Sequence, residues 1–434
     1  MRRLALDLYR HALGAVQGDR VVCQALRSDQ ATAPLALISI GKAACAMSAG
    51  ALLQVGDRIE SGLVITRHGY TGGIDGDRLR VLSAGHPVPD ADSLVAGQEL
   101  LRYIGGLAPD RHLLVLLSGG TSSLVEVLPP HVDLATLARV NQWLLASGLD
   151  IHQVNCVRSA LSEIKGGGLI PRIAGRPTRV LLMSDVPGDE PASIGSGLLV
   201  PAGEARQPSS QIPAWLADLI RRGSPHLASE DGPPRNIAVR IVARNRDALE
   251  AASARARQLE IRAVLHDRVL TGDPEAACET IVSALDGPTA SGSGEAPPTV
   301  HLWGGELTPS LPQAPGRGGR CQHLALMLAA RLAGRSGMAV LCAGTDGSDG
   351  PGEDAGALVD GQTLVRGRDG GEDPQRCLRE ANSGCFLEAA GDLVSTGPTN
   401  TNVMDVVIGL TGFTSPARGI RLAPGLEELI RAFE

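Results

Sequence analysis

HLLVLLSGGTSS, residues 112–123, is an unbroken apolar run that stops at paired glycines and a cluster of hydroxyls. Continuous rather than alternating apolarity marks a strand buried on both faces, and so a parallel sheet covered by helices. The same pattern of a short apolar run ending in a glycine-rich loop recurs in LALISIGKAA at 35–44, GLVITRHG at 62–69 and RVLLMSDVPGD at 179–189. Between these runs lie helical patterns such as ADSLVAGQELLRYI at 91–104, with Asp90 or Asp92 placed to cap its start. Strand, loop and helix in succession predict an α/β fold with a mostly parallel sheet.

At 434 residues the chain exceeds one ordinary hydrophobic core, and two domains are expected. Polar, proline-rich stretches around 202–214 and 223–235 suggest the boundary, giving domains at 1–232 and 233–434. The second domain then opens on NIAVRIVARNRDALEAASARARQLEIRAVLHD at 236–267, which reads as strand, helix, strand. DGPTASGSGEAPP at 286–298 has the composition of a flexible surface loop, and further strands are expected at TVHLW, MAVLCAG, ALVD and DVVIGLTG. Aromatic residues make up only 2%, so the cores must be packed with Ala, Val, Leu and Ile.

A formal charge of -7 provides no general field for nucleic acid or an anionic membrane, so an anionic ligand must be held by local donors. No apolar run reaches the roughly 18–20 residues of a membrane span. The opening MRRLALDLYRHALGAV is interrupted by Asp7, Arg10 and His11 and reads as an amphipathic helix rather than a leader. The 8 cysteines are dispersed without a CxxC pair, which points to a reducing cytoplasm.

The chemistry is concentrated in the loops. Ser118, Gly119, Gly120, Thr121, Ser122 and Ser123 follow a strand, where backbone amides and hydroxyls can cradle an oxyanion. Lys42 in GKAACA and Lys165 in RSALSEIKGGG stand beside glycines and small residues, suited to a phosphate or carboxylate. Asp185 and Asp189 share the SDVPGDEP loop and could hold Mg²⁺, which takes few protein carboxylates. GTDGSDGPGEDAGALVD at 344–360 adds Asp346, Asp349 and Asp354, without the EF-hand spacing. GRGGRCQH at 316–323 sets Arg317 and Arg320 at the start of a helix, favourable for an anion. STGPTNTNVMD at 395–405 offers Asn402 and Asp405. There is no Walker A loop, no GxGxxG and no GxSxG. The histidines show no metal-ligand spacing, so His86 and His323 read as structural.

These loops together resemble the type II glycerate kinases. The likeness is carried in order by IGKAA, AGHPVPD, LLSGGTSSL, NCVRSALSEIKGGGL, MSDVPGD, WGGELT, GRGGRCQ, GTDGSDGPGEDAGA and TGPTNTNVMD. The resemblance implies a Rossmann-like N-terminal domain, a smaller α/β domain of MOFRL type, and an active site in the cleft between them. It further implies transfer of the ATP γ-phosphoryl group to the 2-hydroxyl of D-glycerate, with Mg²⁺ as helper ion. Lys42, Arg320, Asp346 and Asn402 match the family's functional positions. On this basis Lys42, Arg320, Asp346 and Asp189 are the candidate catalytic residues, and Asp185 and Asp189 the metal ligands. Ser118, Gly119, Gly120, Ser122, Ser123, Lys165 and Asn402 are the candidate substrate- or nucleotide-binding residues.

Departures from the family pattern lie at Cys321 and His323, where the family has Asn and Glu, and at Leu198 and Leu199, where it has Pro and Thr. They are expected to remove polar groups near the active site and leave open the choice between glycerate and longer aldonates. The expected partner is a small hydroxy acid, with a homodimer left open. A hydroxypyruvate reductase using NAD(P)H and a silent sugar-acid binding relative stand as alternatives.

Overall fold

The computed structural model describes residues 1–72, 74, 78–147, 149, 151–200, 212–223, 234–287 and 297–413. The chain separates into two compact units, one formed by Gln17–Arg244 with Asn400–Asn402, the other by Met1–Val16, Asn245–Thr399 and the chain from Val403 onward. The expected loops at 202–214, 223–235 and 286–298 lie largely outside the described residues.

The chain opens with helix α1 (Arg2–Ala15), which belongs to the second unit. The first unit contains α2 (Gly18–Leu26), β1 (Leu35–Ile40), α3 (Ala44–Val55), β2 (Ile59–Arg67), β3 (Leu79–Ala84), α4 (Ala91–Gly105) and β4 (His112–Leu117). It continues through the single turn α5 (Thr121–Leu124), α6 (Leu134–Ala146), α7 (Ile151–Ala160), β5 (Thr178–Met183), α8 (Ala214–Arg222) and β6 (Ile237–Ala243). All neighbouring strands run parallel, in the order β3-β2-β1-β4-β5-β6. This is the order of the dinucleotide-binding doubly wound sheet, with its switch point between β1 and β4, and it bears out the Rossmann-like expectation. Every residue of β1 is buried, as an apolar run covered on both faces requires. In register, Ile40 faces both Ile65 and Leu117, and Leu117 faces Leu182, so β1, β4 and β5 release their loops at one level.

The second unit contains α9 (Asn245–Gln258), β7 (Arg262–Leu265), β8 (Leu270–Gly272), α10 (Pro274–Leu285), β9 (Thr299–Leu307), α11 (Arg320–Leu332), β10 (Ala339–Gly344) and β11 (Gly356–Asp360). It ends with α12 (Thr363–Asp369), α13 (Pro374–Arg379), α14 (Ser383–Ala389), β12 (Leu393–Val394) and β13 (Asp405–Thr411). Its sheet has the order β12-β11-β10-β13-β9-β7 and is antiparallel from β12 to β9, while β7 and β8 run parallel to β9. Trp303, Val340, Cys342, Val359 and Val407 form its core with Leu324, Leu328 and Phe386 of α11 and α14.

Two expectations are corrected. The stretch 236–267 is not one βαβ unit: β6 closes the first sheet while β7 joins the second, and the division falls after Arg244 rather than at 232. Strand–helix–strand periodicity carries no information on which sheet a strand joins. The chain also does not divide at a single point, because α1 packs with the second unit, where Tyr9 Oη donates to Gly344 O and Arg255 pairs with Asp7 at 2.8 Å. No helix of the described residues is long and apolar enough to cross a membrane.

Candidate active site

The loop leaving β1 at the switch point presents Lys42, and the loop leaving β4 presents Gly119 and Gly120. They are joined by the Lys42 amide, which donates to Gly119 O at 2.9 Å. Gly120 adopts φ +87°, and a methyl group there would lie 2.9 Å from His86 Cδ2 and 3.3 Å from Lys42 Cγ. Only glycine admits both that conformation and those neighbours. A methyl group on Gly119 would overlap Asn402 Nδ2 and Asp185 Oδ2, and these two atoms are 3.2 Å apart in a hydrogen bond donated by Asn402. The Asn402 amide N–H in turn approaches Met183 Sδ at the end of β5. The first unit thus gathers Lys42, Gly119, Gly120, Asp185 and Asn402, with His86 beside them. His86, read from sequence as structural, borders the loop; AGHPVPD is its only sequence signal.

The hydroxyls of the SGGTSS loop turn inward. Ser118 Oγ accepts from Ala43 N at 3.1 Å, Thr121 Oγ1 donates to Ile40 O and Ser118 O, and Ser123 Oγ donates to Gly120 O. Ser118 and Ser123 therefore shape the turn, and Ser123 spends its hydroxyl proton on Gly120 O, which corrects its expected role as a ligand donor. Ser122 Oγ lies 2.7 Å from Ser196 Oγ, which donates to Asn155 Oδ1 at 3.1 Å. Lys165 is likewise corrected as a direct ligand: it is 2% exposed and its ammonium closes on Glu126. Burial pulls its pKa down while the Glu126 charge opposes that pull.

Asp189 has a left-handed φ of 54° and its Oδ2 is 3.7 Å from Arg244 Nε. Its buried Oδ1 has no hydrogen-bond partner among the described residues, an oxygen of the kind a hard cation takes. Among the described residues Asp185 and Asp189 do not gather a third ligand. The one group of three metal-type ligands among the described residues is His68, Asp90 and Asp92, where Asp90 is already engaged in capping α4.

In the second unit Arg320 is the first residue of α11. Its Nε and Nη2 contact both oxygens of Asp405 at 2.6 and 3.0 Å, and its Nη1 contacts Glu306 Oε1 at 2.5 Å. Burial opposes the guanidinium charge, but the Asp405 and Glu306 carboxylates outweigh it and raise the pKa. Asp405 was expected among the ligand-reaching side chains and instead clamps Arg320. Glu306, the other clamp, was not singled out in the sequence. Asp349 accepts from Cys321 N and Gln322 N at 3.0 and 2.8 Å, capping α11. Burial, reinforced by the Asp405 charge, pushes its carboxyl up to about 7, although the two amides and Arg320 pull the other way. Asp346 is buried, with Oδ1 fixed by Ser348 N at 3.0 Å and Ser348 Oγ at 3.1 Å. A methyl group on Gly344 would lie 3.4 Å from Asp346 Oδ1 and 3.5 Å from Asp405 Oδ1, so both carboxylates flank the end of β10. Arg317 and Asp354 pair with each other at the surface, at 3.1 Å.

The departures from the family pattern fall mostly into cores. Leu198, Leu199 and Cys321 are 1%, 2% and 3% exposed. They therefore pack into cores, Leu199 and Cys321 in place of the family's hydroxyl and amide and Leu198 in place of its proline, and do not alter an exposed surface, contrary to expectation. His323 is partly buried, with Nδ1 3.4 Å from Ser383 Oγ.

A doubly wound parallel sheet with a lysine, a glycine pair and a carboxylate–amide pair at its switch point defines an α/β protein of the anion-handling class. Residues 4–215 match the model of a domain of unknown function, DUF4147, and residues 299–405 that of the MOFRL family. The chain is 33% identical over 422 residues to the glycerate 2-kinase of Pyrococcus horikoshii, covering 94% of each. It is 37% identical over 382 residues to an Agrobacterium vitis protein provisionally named a hydroxypyruvate reductase, covering 87% of each. The crystal structure of the Thermotoga maritima glycerate kinase superposes with a TM-score of 0.78 at 31% identity, covering 94% of this chain and 98% of that one. The chain belongs to the glycerate kinase family with DUF4147 and MOFRL regions.

Proposed function

We propose that the protein is an ATP-dependent glycerate 2-kinase, moving a phosphoryl group to the 2-hydroxyl of D-glycerate and releasing ADP. The observation that carries this reading is the meeting of Lys42, Gly119, Gly120, Asp185 and Asn402 at the switch point, in a chain whose relatives include named glycerate kinases. Phosphoryl transfer requires positioning and charge neutralisation more than covalent chemistry. Lys42 binds a phosphate oxygen as a point charge, and the backbone of Gly119 and Gly120 lets that phosphate approach closely. Arg320, held rigid by Asp405 and Glu306, keeps its guanidinium oriented for an anionic group. Asp346, anchored by Ser348, orients the acceptor hydroxyl and takes its proton. Asp185 and the unpartnered Asp189 oxygen fit Mg²⁺, which when bound supplies further neutralisation of phosphate charge. The free state of all 8 cysteines accords with a cytoplasmic setting.

The reductase name of one relative favours hydroxypyruvate reduction as the second reading. Against it, the loop after β1 reads GKAA and lacks the GxGxxG that brings a dinucleotide pyrophosphate onto a helix. The purified protein is given D-glycerate with Mg-ATP, and separately hydroxypyruvate with NADH. ADP formation without NADH loss upholds the kinase; NADH loss without ADP sinks it.

A further inference from the structure

Behind the SGGTSS loop lies a charged cluster that the proposed reaction leaves unused. Glu126 is buried, and both its oxygens are occupied: Oε1 accepts from Ser162 Oγ at 2.5 Å and Val127 N at 3.0 Å, and Oε2 takes the Lys165 ammonium. Lys165 and Glu126 therefore neutralise one another. Arg158 is a second cation near the same carboxylate, half-buried on α7. Asn155 stands one helical turn earlier on α7, so Arg158 shares the side that meets Ser196 and, through it, Ser122, while Ser162, two residues beyond the end of α7, reaches Glu126. Among the described residues no hydrogen bond or ion pair holds its guanidinium. Burial draws its pKa down, and the Glu126 charge restores only part.

Lys165 and Glu126, both buried, pair as buried charges ordinarily do. Here two cations share one carboxylate whose oxygens are already taken, so the cluster carries a surplus positive charge beside the loop that follows β4. A guanidinium presents a planar fork of donors that matches a carboxylate or a phosphate. We propose that Arg158 is a specificity-determining residue that binds the oxyanion of one substrate, either the carboxylate of the hydroxy acid or a phosphate of the nucleotide. Ser122, Ser196 and Asn155 form the neutral hydrogen-bonded chain that fixes the side of α7 on which Arg158 stands. The inference rests on the kinase reading for its substrates but not for its charge argument.

The test compares the full-length protein with Arg158→Gln and Arg158→Lys, measuring KM for D-glycerate and for Mg-ATP separately, together with the melting temperature. Losing a charge-assisted bond should raise one KM roughly 10- to 100-fold. The other KM stays unchanged and Arg158→Lys recovers part of the loss. A shift confined to D-glycerate identifies the carboxylate, and one confined to ATP the phosphate. The melting temperature of Arg158→Gln should hold or rise, because a cation that repels Lys165 is removed. Unchanged KM values, or a fall in melting temperature with both KM values moving together, overturn the proposal. If the wild-type protein forms no ADP, the kinase reading fails, and calorimetric titration with D-glycerate and with inorganic phosphate decides the rest. Binding weakened in Arg158→Gln upholds the anion site; equal binding in both proteins, or none in the wild type, rejects it.

Discussion

Lys42 and Arg320 are the two cations on which the proposed chemistry depends, and their surroundings differ. Lys42 carries its charge on a flexible stem beside Gly120, so Lys42→Ala should leave the fold intact. Turnover of D-glycerate should then fall roughly 100- to 1000-fold, the scale of losing one electrostatic contact to the reacting group. Steady-state kinetics alongside circular dichroism checks both halves of that expectation. Arg320 was legible as an anion-binding arginine at a helix start, but the carboxylates that hold it were not, since Glu306 and Asp405 are distant in sequence and meet it only through β9 and β13. Asp349 adds a pH dependence. Its carboxyl is raised to about 7, above its ordinary value, so the stability it contributes is full below about pH 4 and is lost as pH rises through 7. Asp349→Asn removes that titration. The melting temperature of the variant relative to wild type should therefore climb between pH 5 and pH 8, and a constant difference across that range would contradict the assignment.

Among the elements, the β4–α5 turn is where local sequence and tertiary demand coincide. Gly119→Ala forces a methyl group into the Asp185–Asn402 pair. Overpacking of that kind costs about 1–3 kcal/mol, and displacing the pair by an ångström should lower kcat/KM roughly 100-fold. Chemical denaturation and kinetics on the same preparation read both effects. Hydroxyl-rich composition in this turn looked like ligand binding. The structure shows Ser118, Thr121 and Ser123 satisfying neighbouring backbone groups, a use of hydroxyls that sequence does not distinguish from ligand contact. The family departures follow a similar logic. Leu199 lies in the first unit's core, so Leu199→Thr, which restores the family's residue type, should destabilise by about 2–4 kcal/mol. Its KM for D-glycerate should stay unchanged, and a shifted KM would mean that Leu199 reaches the substrate.

Across the whole molecule, the chain passes from one unit to the other more than once, and α1 is the clearest case. Tyr9 is buried and its hydroxyl donates to Gly344 O. Tyr9→Phe leaves that carbonyl only the long 3.5 Å bond from Gly347 N and should cost about 1–2 kcal/mol, seen as a lowered unfolding midpoint. The buried apolar strands, the parallel α/β class and the order of the glycine loops were determined by the sequence alone, because apolar periodicity and turn chemistry act over a few residues at a time. Which sheet β6 joins, which unit holds α1, and whether Lys165 is a ligand or a buried partner of Glu126 were decided only by the tertiary structure. Those outcomes depend on contacts between residues far apart in the chain, where burial and pairing, not local propensity, set the energy.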